Sequence, residues 1–308
     1  MNQITSFIQL VAPIFCAVAL GILARKRKML TPEGTQGLQD FVINLGLPCV
    51  IFNSCLTADI GAESVGTMLL VFPVVLLCSV CTFRYTKKHN SYHNLPMLFT
   101  AQETGTLGIP LFILLFGADQ AYRMGILDLT QAIIVFPVIA ILSSNAMENP
   151  SPLDVAKKAL SSPLMIMSLT GLFLNLTGIG NLLDSVGIGQ IITSCTSFLA
   201  QPVSALMIFC VGYNFTLDKE NRGEILKISG IHFVLFFLLG LIVQAGLFLI
   251  PNVEPETRWA VLMYSTLPAC YLAPGLGRNE KEYIIASGIC SVLTIVSLVI
   301  FCILAAII

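Results

Sequence analysis

The chain is 308 residues long, 56% of them apolar and only 11% charged, with a mean hydropathy of +0.87. Soluble domains run about 45–50% apolar and about 25% charged, so an ordinary soluble enzyme is excluded. A net charge of −1 argues against a nucleic-acid partner.

Apolar runs read against their breaks give ten candidate spans, at 4–24, 37–57, 66–84, 94–116, 122–142, 161–180, 188–214, 227–250, 258–276 and 282–307. A span needs about 20 residues, so ten use roughly 200 and leave only short loops. The fold class expected is an all-α polytopic membrane protein with ten transmembrane helices. The cluster Arg25-Lys26-Arg27-Lys28 follows the first apolar run instead of preceding it. That order argues against a cleavable signal peptide and places the N-terminus outside. With ten spans the C-terminus is outside as well. In this topology, fourteen of the sixteen Lys and Arg residues face the cytoplasm, and the outside loops hold only Arg123 and Arg258. Such an asymmetry is the positive-inside signal. The compactness of the loops points to a plasma (inner) membrane. Every Lys and Arg falls in a loop or at a span end, so an anionic substrate is expected to rely on helix ends, amides and hydroxyls. All ten cysteines lie in apolar stretches and read as small hydrophobes. The Cys78-Ser-Val-Cys81 spacing has no second pair and no histidine at ligand spacing.

The longest polar stretch, from Ser143 to Ser162, contains Asn149-Pro150-Ser151-Pro152 and Lys157-Lys158. It divides the spans into a first repeat (1–142), a cytoplasmic linker (143–160) and a second repeat (161–308). Five spans per half is an odd number, so related halves must run in opposite orientations. The halves share marks in order. Pro13 and Gly21 in span 1 have the same P-x7-G spacing as Pro163 and Gly171 in span 6. Pro48 in span 2 matches Pro202 in span 7, and Pro110 in span 4 matches Pro268 and Pro274 in span 9. Inverted repeats with Gly/Pro-broken helices in corresponding positions point to a secondary-transporter binding site.

Span 4 carries Glu103, Gly105, Gly108 and Pro110 in mid-segment, and span 9 carries Thr266, Pro268 and Pro274. Proline removes a donor and clashes with the carbonyl four residues earlier. Both helices are therefore expected to break at membrane depth, where broken backbone is tolerated only against protein or water. A charged side chain near the bilayer centre costs about 2.5–3.5 kcal/mol on insertion scales. Glu103 is thus either a carboxyl bonded to freed backbone or a proton-coupling or substrate-binding group. Asn44 and Gln201 lie before the prolines of corresponding spans and join the candidates. For a lone membrane-depth Asn or Gln such as Asn53, Asn175 or Gln244, an interhelical hydrogen bond is the expectation.

The run Glu103-Thr-Gly-Thr-Leu-Gly108-Ile-Pro110-Leu, followed by Phe116-Gly117, resembles the span-4 signature of the auxin efflux carrier family. That family includes the plant PIN auxin exporters and bacterial malonate and malate carriers. Gln131-Ala-Ile-Ile is similar to its span-5 Gln segment. Thr266-Leu-Pro268, with Gly277 and Tyr283 after it, resembles its span-9 crossover and exit. The resemblance covers nearly the whole chain. It implies an NhaA-like fold of two inverted five-helix repeats in which broken helices 4 and 9 cross. Spans 1, 2, 6 and 7 would form a scaffold, and spans 3–5 and 8–10 a transport domain. It further implies elevator-type movement of small organic anions and a homodimer formed through the scaffold face. The family's span-4 Asn position holds Glu103 here, which implies proton coupling or a substrate with a positive group.

The expected function is therefore a secondary transporter or uniporter of small organic acids in the lipid bilayer. The expected binding and coupling residues are Glu103, Thr104, Gln131, Asn44, Gln201 and Thr266, with helix breaks at Gly105, Gly108, Pro110 and Pro268. No metal, organic cofactor or nucleic acid is expected; H+ is the first coupling ion to consider and Na+ the second. The alternatives are a sodium-coupled symporter of the bile-acid-transporter type, using oxygens of Thr104, Thr106 and Thr266, and an intramembrane enzyme. The chain has no HExxH pair and no GxSxG elbow, so no catalytic residue is assigned.

Overall fold

In lipid every backbone donor and acceptor must be paired within the protein, and the apolar runs meet that demand by forming helices. The computed structural model describes residues 3–58, 61–89, 91–143, 161, 163–215 and 220–308. The expected linker, apart from Ser143, lies outside them. The helices are α1 (Gln3–Lys26), α2 (Pro32–Phe41), α3 (Leu47–Thr57), α4 (Ala62–His89), α5 (Leu95–Leu98), α6 (Ile109–Phe116) and α7 (Ala121–Ser143). They continue with α8 (Pro163–Leu176), α9 (Ile179–Ser185), α10 (Ile188–Ala200), α11 (Val203–Asn214), α12 (Arg222–Gly246), α13 (Pro255–Tyr264) and α14 (Glu280–Ile307). Among the described residues there is no strand, only one isolated antiparallel bridge between Gln102 and Ala269.

Six stretches among the described residues are long and apolar enough to cross a membrane: Pro32–Thr57, Ala62–His89, Ala118–Ile139, Ile188–Asn214, Arg222–Leu249 and Glu280–Ile307. The region expected as one span at 161–180 is instead bent by 80° between α8 and α9. Gly178 makes the bend with a φ of +72°, a conformation open to glycine at no steric penalty.

Two prolines are accommodated by the same local device. A π-turn covers Val42–Gly46 just before Leu47-Pro48, and another covers Thr104–Gly108 just before Ile109-Pro110. In each, the amide after the glycine reaches five residues back, from Leu47 to Val42 and from Ile109 to Thr104. Widening the turn makes room for a ring that would otherwise strike the preceding turn.

Glycines set the closest helix crossings. A Cβ on Gly21 of α1 would lie 2.1 Å from the Phe209 carbonyl of α11, and one on Gly212 would lie 2.2 Å from the Val18 carbonyl. On α8, a Cβ at Gly171 would lie 2.7 Å from the Phe52 carbonyl of α3. The α1–α11 and α3–α8 pairs are the most extensive packings in the molecule, followed by α4–α7 and α12–α14. Interhelical amides reinforce them. Asn175 of α8 donates to the Cys55 and Ala58 carbonyls at the end of α3 (2.8 and 2.7 Å). Asn53 of α3 bonds Ser197 and Thr196 of α10.

Arg123 departs from its expected place in a solvated outside loop. It is 7% exposed at the start of α7. It pairs with Glu63 of α4 at 2.9 Å, reaches Glu254 at 3.7 Å, and donates to Gln120 and to Thr257 of α13. A guanidinium has five donors in a fixed fork, which lets one side chain tie three helix starts together.

Candidate crossover site

Span 4 begins as the single turn of α5 and leaves helical geometry at Phe99. Span 9 leaves it at the end of α13, beyond Tyr264. The two unwound segments run past each other and pair. The Glu103 amide donates to the Pro268 carbonyl at 2.8 Å, and the Cys270 amide to the Ala101 carbonyl at 3.0 Å. These bonds flank the Gln102–Ala269 bridge, so the amide and carbonyl of Gln102 itself face away from span 9.

Gln131 of α7 stands on that open side. Its Oε1 accepts from the Gln102 amide at 3.0 Å, and its Nε2 donates to the Gln102 carbonyl at 2.9 Å. One side-chain amide thus takes the place of a third strand. Gln131 also accepts from the Tyr264 hydroxyl (3.0 Å), and its Nε2 lies 3.0 Å from both Thr104 Oγ1 and Asp128 Oδ1. The Gln102 amide, turned with its nitrogen toward span 9, donates to the carbonyls of Leu267 (2.8 Å) and Pro268 (3.0 Å). Ser297 of α14 donates to the Thr266 carbonyl. The carbonyls and amides released by the breaks are in this way closed by side chains from neighbouring helices.

Glu103 sits at the junction and is buried. Its Oε1 accepts from the Thr106 hydroxyl, and its Oε2 accepts from the Tyr271 amide at 2.6 Å. Thr266 is buried in the unwound part of span 9, its hydroxyl turned back to the Met263 carbonyl at 2.9 Å. Gly108 brings the two spans close: a Cβ there would lie 2.6 Å from Leu267 Cδ1 and 2.8 Å from Met124 Cε. At Gly105 a Cβ would lie 3.8 Å from Asp128 Oδ2. Pro110 is buried at the first turn of α6.

A cavity of ≈740 Å³ opens between α1, α2 and α11 on one side and the span-9 break and α14 on the other. Tyr271, Cys290 and Thr294 line it near the crossover, and Arg25, Gln36 and Phe215 line it toward the helix ends. Tyr271 joins the two features, because its amide holds Glu103 while its hydroxyl meets Thr294 Oγ1 at 2.7 Å.

The family profile described as membrane transport protein matches residues 6–308 of this sequence. The chain belongs to this family, the auxin efflux carriers. It is also similar to an uncharacterized transporter of Methanothermobacter thermautotrophicus, with 23% identity over 301 residues and 94% of each chain covered. As a member of a membrane transport family with several membrane-crossing helices, the chain is a multi-pass membrane protein. Membership of this family is consistent with a protein that is not an enzyme.

Within this carrier, the structure brings Glu103, Thr104, Gln131, Thr266, Gly105, Gly108, Pro110 and Pro268 together at the crossover. It does not join Asn44 or Gln201 to them by a hydrogen bond. Asn44 lies exposed in the first π-turn with its amide on the Asp40 carbonyl (2.9 Å), and Gln201 is exposed in the turn before α11. Neither these two nor Glu103, Thr104, Gln131 or Thr266 is among the described residues that line the cavity. Asp128 of α7 lies beside Gly105 and Gln131. Tyr264, Tyr271, Thr294 and Ser297 carry no sequence signature of a site. Tyrosines and hydroxyls in apolar runs look like ordinary helix residues until the broken backbone they serve is placed.

Proposed function

We propose that this carrier is a secondary transporter that moves small organic acids across the plasma membrane by elevator-type alternating access. Glu103 would act as the proton-coupling carboxyl. The observation that carries the reading is the crossover itself: two unwound segments paired at Gln102–Ala269, with a buried carboxyl at their junction and a cavity reaching Tyr271 next to it. Unwound backbone crossing at depth, beside a cavity, is where transporters place substrate and coupling ions.

Two inverted five-helix repeats, residues 1–142 and 161–308, complete the reading, with both termini outside. Its support is the paired packing. Under a repeat relating span 1 to span 6 and span 2 to span 7, the α1–α11 contact is the counterpart of α3–α8. The α4–α7 contact is likewise the counterpart of α12–α14. Gly21 and Gly171, the glycines of the shared P-x7-G spacing, both sit at those crossings. In this reading α1–α3 and α8–α11 form the scaffold, which also supplies the homodimer face, and α4–α7 and α12–α14 carry the crossover.

The test is malonate or malate exchange by the reconstituted chain in liposomes holding a pH-sensitive dye. Proton movement that accompanies substrate and is lost in Glu103→Gln supports the reading. Uptake without proton movement removes Glu103 from coupling, and dependence on a sodium gradient replaces the proton with Na+.

A further inference from the structure

Among the described residues lining the cavity, Arg25 is the one that carries a formal charge. Glu103, which accepts from the amide of the cavity-lining Tyr271, is itself outside that wall. Both of its carboxyl oxygens are engaged, by the Thr106 hydroxyl and by the Tyr271 amide. Arg25 differs from the three basic residues that follow it, Lys26, Arg27 and Lys28, which do not line the cavity. Its Nη1 donates to the Phe215 carbonyl at 2.9 Å and to the Tyr213 carbonyl at 3.4 Å. These carbonyls lie at the C-terminal end of α11, where a cation is favoured. The guanidinium is therefore held in place at the cavity edge by the scaffold, with further donors on the same fork. Gln36 of α2, whose Nε2 donates to Asp40 Oδ1 at 2.9 Å, and Asn214 of α11 line the same end. A cleft with low-dielectric walls and a charge of one sign concentrates counter-ions.

We propose that Arg25 is the anion-recognising residue of this cavity, selecting substrates that carry a carboxylate and enter from the Arg25 end. The proposal rests on the transport reading above and removes a tension in it. Glu103 faces the crossover backbone, and Arg25 is the charged side chain on the described cavity wall.

The test reads the field without needing a transported substrate. Ser287→Cys places a thiol on the cavity wall. The full chain in liposomes is treated with the anionic reagent sulfonatoethyl methanethiosulfonate or its trimethylammonium counterpart, and modification at residue 287 is quantified by mass spectrometry. The ratio of anionic to cationic labelling rates should fall about fivefold on adding Arg25→Gln and be retained in Arg25→Lys. Molar salt should erase the difference. An unchanged ratio in Arg25→Gln overturns the proposal, as does a thiol that neither reagent reaches. Asp218 follows Phe215 by three residues and lies outside the described segments. A fall of the same size in Asp218→Asn would assign the effect to helix-end structure and also overturn it. Absence of malonate exchange in the wild type would count against the transport reading and leave the labelling result standing.

Discussion

Replacing Gln131 by Leu isolates the part of the crossover that a side chain builds. The substitution keeps the volume and removes the amide that closes both the N–H and the C=O of Gln102. Gln102 is 1% exposed, so water does not readily replace the lost partner. The Gln102 carbonyl keeps the Thr104 amide at 2.9 Å, so the N–H is the group left without a partner, at a loss of about 1–3 kcal/mol. Interhelical hydrogen bonds in membranes average only about 0.6 kcal/mol in double-mutant cycles, because the unfolded chain in lipid finds other partners. The larger figure applies here because the Gln102 amide lies outside any helix and Gln131 is the acceptor it meets. Gln131→Glu, which can still accept from the Gln102 amide, should fall between wild type and Gln131→Leu. The assay is unfolding in detergent, followed by a thiol-reactive dye at the buried Cys270. A Gln131→Leu chain within about 0.5 kcal/mol of wild type, the range of an ordinary surface change, would refute this account of the crossover.

Gly21→Ala forces a Cβ to 2.1 Å from one backbone atom of α11 and 2.6 Å from another. It should destabilise by about 1–3 kcal/mol through overpacking. Gly37→Ala meets nothing within 4 Å and should stabilise α2 by up to about 1 kcal/mol. The same dye assay should therefore show shifts of opposite sign. Arg123→Gln leaves Glu63, 15% exposed, without its guanidinium. Breaking a buried pair from one side costs about 3–5 kcal/mol, and the residual exposure of Glu63 puts the loss near the low end. The double variant with Glu63→Gln should recover part of that loss, and strict additivity in the unfolding data would deny the coupling.

The places where the chain leaves helical geometry were legible because proline and glycine act through the local backbone. The break in span 9 falls at Pro268 and Pro274, whereas span 4 unwinds at Phe99–Glu103, ahead of the glycines and of Pro110, which a π-turn accommodates. The P-x7-G glycines were legible only as a spacing; that Gly21 and Gly171 bring helices together is a property of packing. The bend at Gly178 was hidden inside a continuous apolar run, where nothing in composition separates a tolerated glycine from one at positive φ. Glu103 stood out because a carboxylate in an apolar run is costly. Its partners did not, because one of them is the backbone amide of Tyr271, which has no residue signature. Arg123 was misplaced for a related reason. Counting charges assumes that a basic residue at a span end faces water, and three carboxyl and hydroxyl partners from distant helices reversed that. Arg25 was counted with its basic neighbours, although only it reaches the cavity wall.

The bonds that close the crossover come from α7 and α14, helices that would move with it. Hydrogen bonds described from α3 and α11 to the other group are those of two serines. Ser54 donates to the Asp119 carbonyl and accepts from the Tyr122 amide, and Ser204 reaches the Pro110 carbonyl at 3.5 Å. Under the proposed elevator reading, the internal wiring of the crossover would travel intact. In mechanical terms the boundary with α3 and α11 would then be a bearing surface, with Ser54 and Ser204 as detents that mark one stopping position.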